Sequence, residues 1–242
     1  PLPGHPQIPH RFVACFAACD RRPLALEVTS CQVLAMSEPA VRLLDDDEIV
    51  LRRTGVRFPV ELRPTGFRAD DPSTWPDAEG RLECVDGRLL YMPPCADVQQ
   101  YVAVDVAYVL RAWSEVSPEF VVGGNEAGMK LGRDIRAADA GVWRRDAAGP
   151  PTGRLHRTPP VLAVEVAGED EDEAVLRSKT QWYLRHGVSV VWIVLPEQRQ
   201  VLVVGRAGET RCSRGERLPL SAELPGLAPT VEQFFAQLDG RG

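Results

Sequence analysis

The sequence predicts an α/β domain built on a mixed β-sheet flanked by helices. Three observations carry that prediction. Residues 161–195 read as strand, helix, strand, the pattern of a parallel βαβ unit with a right-handed crossover. The strand-like runs before it are joined by tight polar turns, which marks antiparallel hairpins. The chain has 242 residues, 44% hydrophobic and 26% charged, an ordinary globular composition that can bury a core without a disulfide or metal staple.

In chain order, residues 1–35 hold three of the six cysteines and show no clear period. They read as an irregular N-terminal appendage, with the texture changing at Met36. Residues 36–72 form a lead-in rich in Pro, Asp and Arg, with a short strand near Val56–Leu62; the main domain is expected over 73–242. Arg81 to Met92 contains two short runs around Asp86-Gly87, a type I′ hairpin signal because both central positions need positive φ. A helix is expected over Asp97 to Glu115, with Asp97 as N-cap and Val98, Tyr101, Val102, Val106, Tyr108, Val109 and Trp113 as its apolar face. Phe120–Val122, Ala127–Leu131 and Ala137–Trp143 read as strands, the last two joined by Gly132-Arg133-Asp134. A Gly/Pro loop covers 146–160. Val161–Ala167 is apolar except for Glu165, as in a strand covered on both faces. A helix follows from about Asp172 to His186 and stops at Gly187, a C′ glycine. Val188–Leu195 and Val201–Val204 are strands, and Thr230–Leu238 reads as a short amphipathic helix.

Charge and cysteines exclude several classes. A net charge of −6 is not that of a broadly basic nucleic-acid coat. No 18-residue apolar run exists, so no transmembrane helix is expected, and the Pro-rich start lacks signal-peptide order. Six cysteines without a C-x-x-C pair and four scattered histidines argue against structural zinc and for reduced thiols in the cytoplasm. Of 28 basic residues, all but Lys130 and Lys179 are Arg, so each remaining Lys invites a question.

Four residues are candidates for chemistry. Glu165 interrupts an apolar strand, where an unpaired carboxylate is costly, and alternation gives it Val161, Ala163 and Ala167 as face-mates. Pairing with an Arg, or a place at an exposed sheet end, would also explain it. Lys179 shares a helix face with Val175, Leu176, Trp182 and Tyr183, so it points inward and needs a partner such as Glu165; the alternative is snorkelling at the edge of the stripe. Asp139 lies among small and apolar residues of a strand, where an Asp commonly caps or turns the chain, and Glu83 lies in the hairpin. Two carboxylates on core strands beside an inward Lys suit phosphodiester hydrolysis. The carboxylates hold Mg²⁺ through oxygen, the ion activates water, and the Lys orients that water or offsets charge on phosphorus.

Several stretches resemble one family in its order. Leu82–Leu89 looks like an E-x-x-x-G hairpin, Arg136–Asp139 like R-x-P-D, and Pro159–Val166 like P-P-x-x-x-x-E-V. Lys179–Tyr183, Gly187-Val188 and Val191–Val194 look like K-x-x-x-Y, G-V and Y-W-x-V. Over residues 73–240 the chain is similar to the Uma-two restriction endonucleases of the PD-(D/E)XK nuclease superfamily. The resemblance implies a restriction-endonuclease-like fold and a DNA endonuclease using Mg²⁺ or Mn²⁺. It implies Asp139 and Glu165 as metal ligands, with Lys179 on the helix in the role of the superfamily Lys and Glu83 as an additional site acid. It also implies DNA as substrate and, as in members that cut two strands, a homodimer. Departures surround that core: Val98 replaces a His, Ala138 a Pro, Gly168 a Ser and Leu195 an Asp.

Two functional readings follow. One is a metal-dependent endonuclease. The other is a catalytically inactive relative that uses the fold for binding or assembly, which the acidic charge favours because DNA affinity rests on phosphate neutralisation. Arg133, Arg136, Arg144 and Arg145 could still form a local basic patch. A zinc hydrolase or a His-based nucleophilic enzyme is disfavoured by the scattered histidines.

Overall fold

A computed structural model describes residues 41–43, 49–51, 58–169, 171 and 173–240. The expected appendage of residues 1–35, with Cys15, Cys19 and Cys31, lies outside the described residues, as does the Val56 end of the expected early strand. Strands β1 (Val41–Leu43) and β2 (Ile49–Leu51) pair with each other. The rest is one mixed sheet with helices on its faces, the α/β class that the sequence predicts.

That sheet contains β3 (Val60–Leu62), β4 (Arg81–Val85), β5 (Arg88–Met92), β6 (Phe120–Leu131), β7 (Asp134–Arg144), β8 (Leu162–Val166), β9 (Val190–Leu195), β10 (Gln200–Gly205) and β11 (Gly208–Cys212). Its order is β11-β10-β9-β8-β7-β4-β5-β3, with β6 on β7. The β4–β5 turn has φ of 52° at Asp86 and 74° at Gly87, the type I′ geometry that the Asp-Gly pair implies. β8 and β9 are parallel and connected through α3 (Glu173–Arg185), which ends before Gly187 at φ 95°. Every residue of β8 and β9 is buried, as strands covered on both faces require.

One face of the sheet carries Val164, Trp192 and Val194 against α1 (Asp97–Glu115) and the C-terminal segment; the other carries Ala163 and Val191 against Trp182 and Tyr183 of α3. On the second face small residues make room for one large ring. A Cβ on Gly141 would lie 2.6 Å from the Trp143 ring, which is fixed by its Nε1–H donating to the Thr158 carbonyl (2.9 Å) and by stacking on His156.

Local readings change in six places. The cap of α1 is Ala96, and Asp97 is already the first helical residue, accepting from Val98 N rather than from a later turn. Tyr101 and Tyr108 point outward, Tyr108 at 73% exposure, because the core side of α1 is set by Val102, Val106, Leu110 and Trp113. The three runs from Phe120 to Trp143 form two long strands, since Phe120–Leu131 continues through a bulge between Gly124 and Ala127. A short helix α2 (Arg145–Ala148) enters the expected loop, and β11 adds an edge strand not anticipated. The C-terminal helix is only a 3₁₀ turn at Val231–Phe234, enough to bury Val231, Phe234 and Phe235. Among the described residues no helix is long and apolar enough to cross a membrane, and Cys84, Cys95 and Cys212 are free thiols.

Candidate active site

The site lies where β7 changes partner. Along one edge, Ile135 of β7 pairs with Cys84 of β4, while Ala140–Val142 pair with Leu162–Val164 of β8. Between these points the two neighbours diverge, and backbone groups lose their ladder partners. Buried backbone donors need acceptors, and side-chain carboxylates supply them. Glu83 Oε1 accepts from Ala137 N (3.2 Å), and Asp139 Oδ2 accepts from Val166 N (2.7 Å). The gap in the ladder thus places two acids at one point of the sheet, one from β4 and one from β7.

Glu165 and Lys179 complete the centre. Strand alternation turns Glu165 toward α3, opposite to Val164 and Val166. It is 1% exposed, and both its oxygens are engaged: Oε2 by Lys179 Nζ (3.1 Å) and Oε1 by the Tyr183 hydroxyl (2.6 Å). Lys179 is 2% exposed, so the snorkelling alternative does not hold; it also donates to Glu171 Oε1 (2.7 Å). Lys179 and Tyr183 are four residues apart on α3 and grip the same carboxylate, as one helix turn allows. Glu83 is 1% exposed and faces two guanidinium groups. Arg136 Nε is 2.9 Å away in an ion pair whose angle is not that of a hydrogen bond, and Arg81 Nε is at 3.6 Å. Arg81 also reaches Asp139 Oδ1 (3.4 Å).

The charges do not cancel evenly. Four carboxylates (Glu83, Asp139, Glu165 and Glu171) meet three cations, Arg81, Arg136 and Lys179. Burial works against charge on Glu165, but Lys179, Arg81 and the Tyr183 hydroxyl prevail and hold its carboxyl below the usual value. Burial likewise works against Lys179, yet Glu165 and Glu171 raise its ammonium above the ordinary range. The Tyr183 hydroxyl is pushed well up by burial and by Glu165. Asp139 is the uncompensated member: burial and the Glu165 charge push its carboxyl up to about 6, with Arg81 and Lys179 offsetting only part.

Asp139, like Glu171, also opens outward. With Arg81, Gln99, Glu126, Glu169 and Glu171 it lines a cleft of about 570 Å³ between the β-sheet and the start of α1. Glu126 enters the wall from the β6 bulge, where its φ is 60°. Gln99, one residue after the position where the resembled family has His, donates to the Val166 carbonyl (2.9 Å) and so ties α1 to the end of β8.

Asp139, Glu165, Lys179 and Glu83 are therefore brought into one connected cluster. Of the four arginines that could form a basic patch, Arg133, Arg144 and Arg145 are exposed and Arg136 is not. Arg136 is buried on Glu83 and stacks over Trp182, Arg144 stacks on Phe120, and Arg145 donates to the Pro118 and Phe120 carbonyls. Arg81, Tyr183 and Glu171 were not candidates. Two were findable: Arg81 is two positions from Glu83 on a strand, and Tyr183 is four from Lys179 on a helix. Glu171 belongs to the β8–α3 connection, where no period assigns direction. Lys130, the other lysine, reaches the Asp70 carbonyl at 3.3 Å.

A divalent cation implied by the resemblance finds suitable donors here. The carboxylates of Asp139 and Glu165 offer hard oxygen donors, and the raised Asp139 carboxyl marks excess negative charge that a cation would relieve. Among the described residues no group of three or more His, Cys, Asp or Glu is placed to hold a metal ion, so the donor set is the two carboxylates.

Residues 69–232 match the Uma2 family, described as "Putative restriction endonuclease". A crystal structure of a "putative nuclease belonging to DUF820" from Anabaena variabilis has a TM-score of 0.62 and 14% identity, covering 71% of this chain and 99% of that one, a likeness of fold. No curated protein matches. Because the family match spans more than half of the chain and the sheet has the fold of that nuclease-like structure, the chain belongs to the Uma2 family.

Proposed function

We propose that this protein is a divalent-metal-dependent endonuclease that hydrolyses DNA phosphodiester bonds. The observation that carries the reading is the junction of Asp139, Glu165 and Lys179 at the break between β4, β7 and β8, with Asp139 opening onto the cleft. Asp139 and Glu165 would hold Mg²⁺ or Mn²⁺. When bound, such an ion lowers the pKa of a coordinated water and stabilises charge on phosphorus. Lys179 keeps Glu165 ionised and, with Tyr183, fixes its orientation. Glu83 holds Arg81 and Arg136 and closes the ladder gap at Ala137. DNA would enter along the cleft, and the catalytic unit would be residues 73–242.

The test is cleavage of plasmid DNA with Mg²⁺ or Mn²⁺ by wild type and by Glu165→Ala. Loss of cleavage in the variant is expected; equal cleavage by both proteins removes Glu165 from the mechanism. A second reading, a non-catalytic binding module, is favoured by one observation: both Glu165 oxygens already accept bonds from Lys179 and Tyr183. Titration calorimetry with Mn²⁺ separates the two, since the endonuclease requires metal uptake that Asp139→Asn weakens.

A further inference from the structure

We infer that Arg81 is the phosphate-binding residue of the cleft. The inference rests on the endonuclease reading for the identity of its ligand, a phosphodiester, but its geometry stands apart from that reading. The walls of the cleft are acidic: Asp139, Glu126, Glu169 and Glu171 face it, and Arg81 is the one cation among its described lining residues. Among the described lining residues, an anionic backbone entering there meets positive charge at Arg81. Lys179 cannot serve, because it does not line the cleft and its ammonium is held at 2.7 and 3.1 Å by Glu171 and Glu165.

Arg81 is held in place but loosely partnered. Its side chain is nine-tenths buried. Nε stands 3.6 Å from Glu83 without a hydrogen bond, Nη1 reaches Asp139 at 3.4 Å, and Nη2 reaches only the Met92 thioether at 3.3 Å. The Arg177 fork on the protein surface, by contrast, contacts carboxylates at 2.8 Å. A guanidinium offers five N–H donors in a planar fork suited to two phosphate oxygens. Arg81 presents that fork beside Asp139, so a phosphate bound to it would lie next to the carboxylate proposed to hold the metal. Burial of nine-tenths of the side chain restricts its rotamers, which limits the ordering needed when the phosphate arrives.

Inorganic phosphate is the probe that does not depend on DNA. Its line broadening in phosphorus NMR is read for the full chain without divalent metal, for wild type, Arg81→Gln and Arg81→Lys, with circular dichroism as the folding check. Wild type is expected to broaden the signal, Arg81→Gln to lose the effect, and Arg81→Lys, which keeps charge but not the fork, to bind about tenfold more weakly. Absence of broadening by wild type, or equal broadening by wild type and folded Arg81→Gln, overturns the assignment; if Arg81→Gln does not fold, wild-type binding by Arg81→Lys does so. Plasmid cleavage with Mg²⁺ is scored separately. A wild type that binds phosphate through Arg81 but cuts no DNA leaves the assignment standing and removes the endonuclease reading. A wild type that cuts DNA while Arg81→Gln still binds phosphate does the reverse.

Discussion

Helix α3 carries two ionic networks, one on each side. Outside, Arg177 bonds Glu173 and Glu209, and Arg211 of β11 bonds Glu173, all between side chains about a third or more exposed. Inside, Lys179 bridges Glu165 and Glu171 with almost no exposure. Arg177 and Lys179 are two residues apart, on opposite sides of the helix. The difference teaches where ion pairs matter. The outer set ties a helix to an edge strand in water, where screening and side-chain entropy leave little net stability. The inner set exists because Glu165 lies on a covered strand, and each of its charges depends on the other.

Breaking the inner set has the largest expected effect. Lys179→Met leaves Glu165 buried without its main counter-charge and should cost about 3–5 kcal/mol in urea unfolding. Adding Glu165→Gln should recover part of that loss, since the stranded charge is then removed. A Lys179→Met protein within about 1 kcal/mol of wild type would mean that the inner pair is as dispensable as the outer ones.

Asp139 sharpens the comparison through pH. Its carboxyl rises from 3.8 to about 6 on folding, so the folded chain holds its proton longer than the unfolded chain does. That contribution is fully present below pH 3.8 and is lost as pH climbs through about 6. The metal-free protein should therefore lose up to about 3 kcal/mol across this window from Asp139. Asp139→Asn should abolish that component and melt higher than wild type at pH 8. Mg²⁺ should restore stability to wild type but not to Asp139→Asn. A wild-type melting profile that matches Asp139→Asn between pH 4 and pH 7 would refute the unrelieved charge.

Gly141→Ala supplies an uncharged control. Its Cβ would press on the Trp143 ring, and the fixed ring makes a cost of about 1–3 kcal/mol the expectation. This loss should not depend on salt or pH, unlike the losses at Lys179 and Asp139. The smallest effect belongs to the outer network. Arg177→Ala should change stability by less than about 1 kcal/mol, and the change should shrink further in high salt. A larger, salt-resistant loss would show that the α3–β11 contact is structural rather than incidental.

Much of the architecture was legible because it rests on local signals. The Asp86-Gly87 hairpin, the span of α1, the β8–α3–β9 unit and the Gly187 stop each follow from a period or a backbone requirement. The inward Lys179 and its Glu165 partner follow from the same logic, since an apolar strand and an apolar helix face leave each charge one direction to go. The outward turn of Tyr101 and Tyr108 was not legible, because α1 bears apolar residues around more of its circumference than the sheet covers. Nor was the inward turn of Arg136, which sequence alone cannot distinguish from an exposed strand Arg. Glu83 acquires its setting only when β4 meets β7.

By itself, then, the sequence determined the elements, the parallel crossover and the family pattern, because periodicity and turn chemistry act over a few residues. The tertiary structure alone decided that β7 would exchange β4 for β8 near Asp139. That exchange frees backbone donors, draws Glu83 and Asp139 to satisfy them, and leaves Asp139 at the mouth of the cleft with Arg81 beside it. Strand pairing between segments about twenty (β7 with β8) to fifty (β4 with β7) residues apart is a property of the assembled sheet, and no local pattern encodes where such a ladder divides.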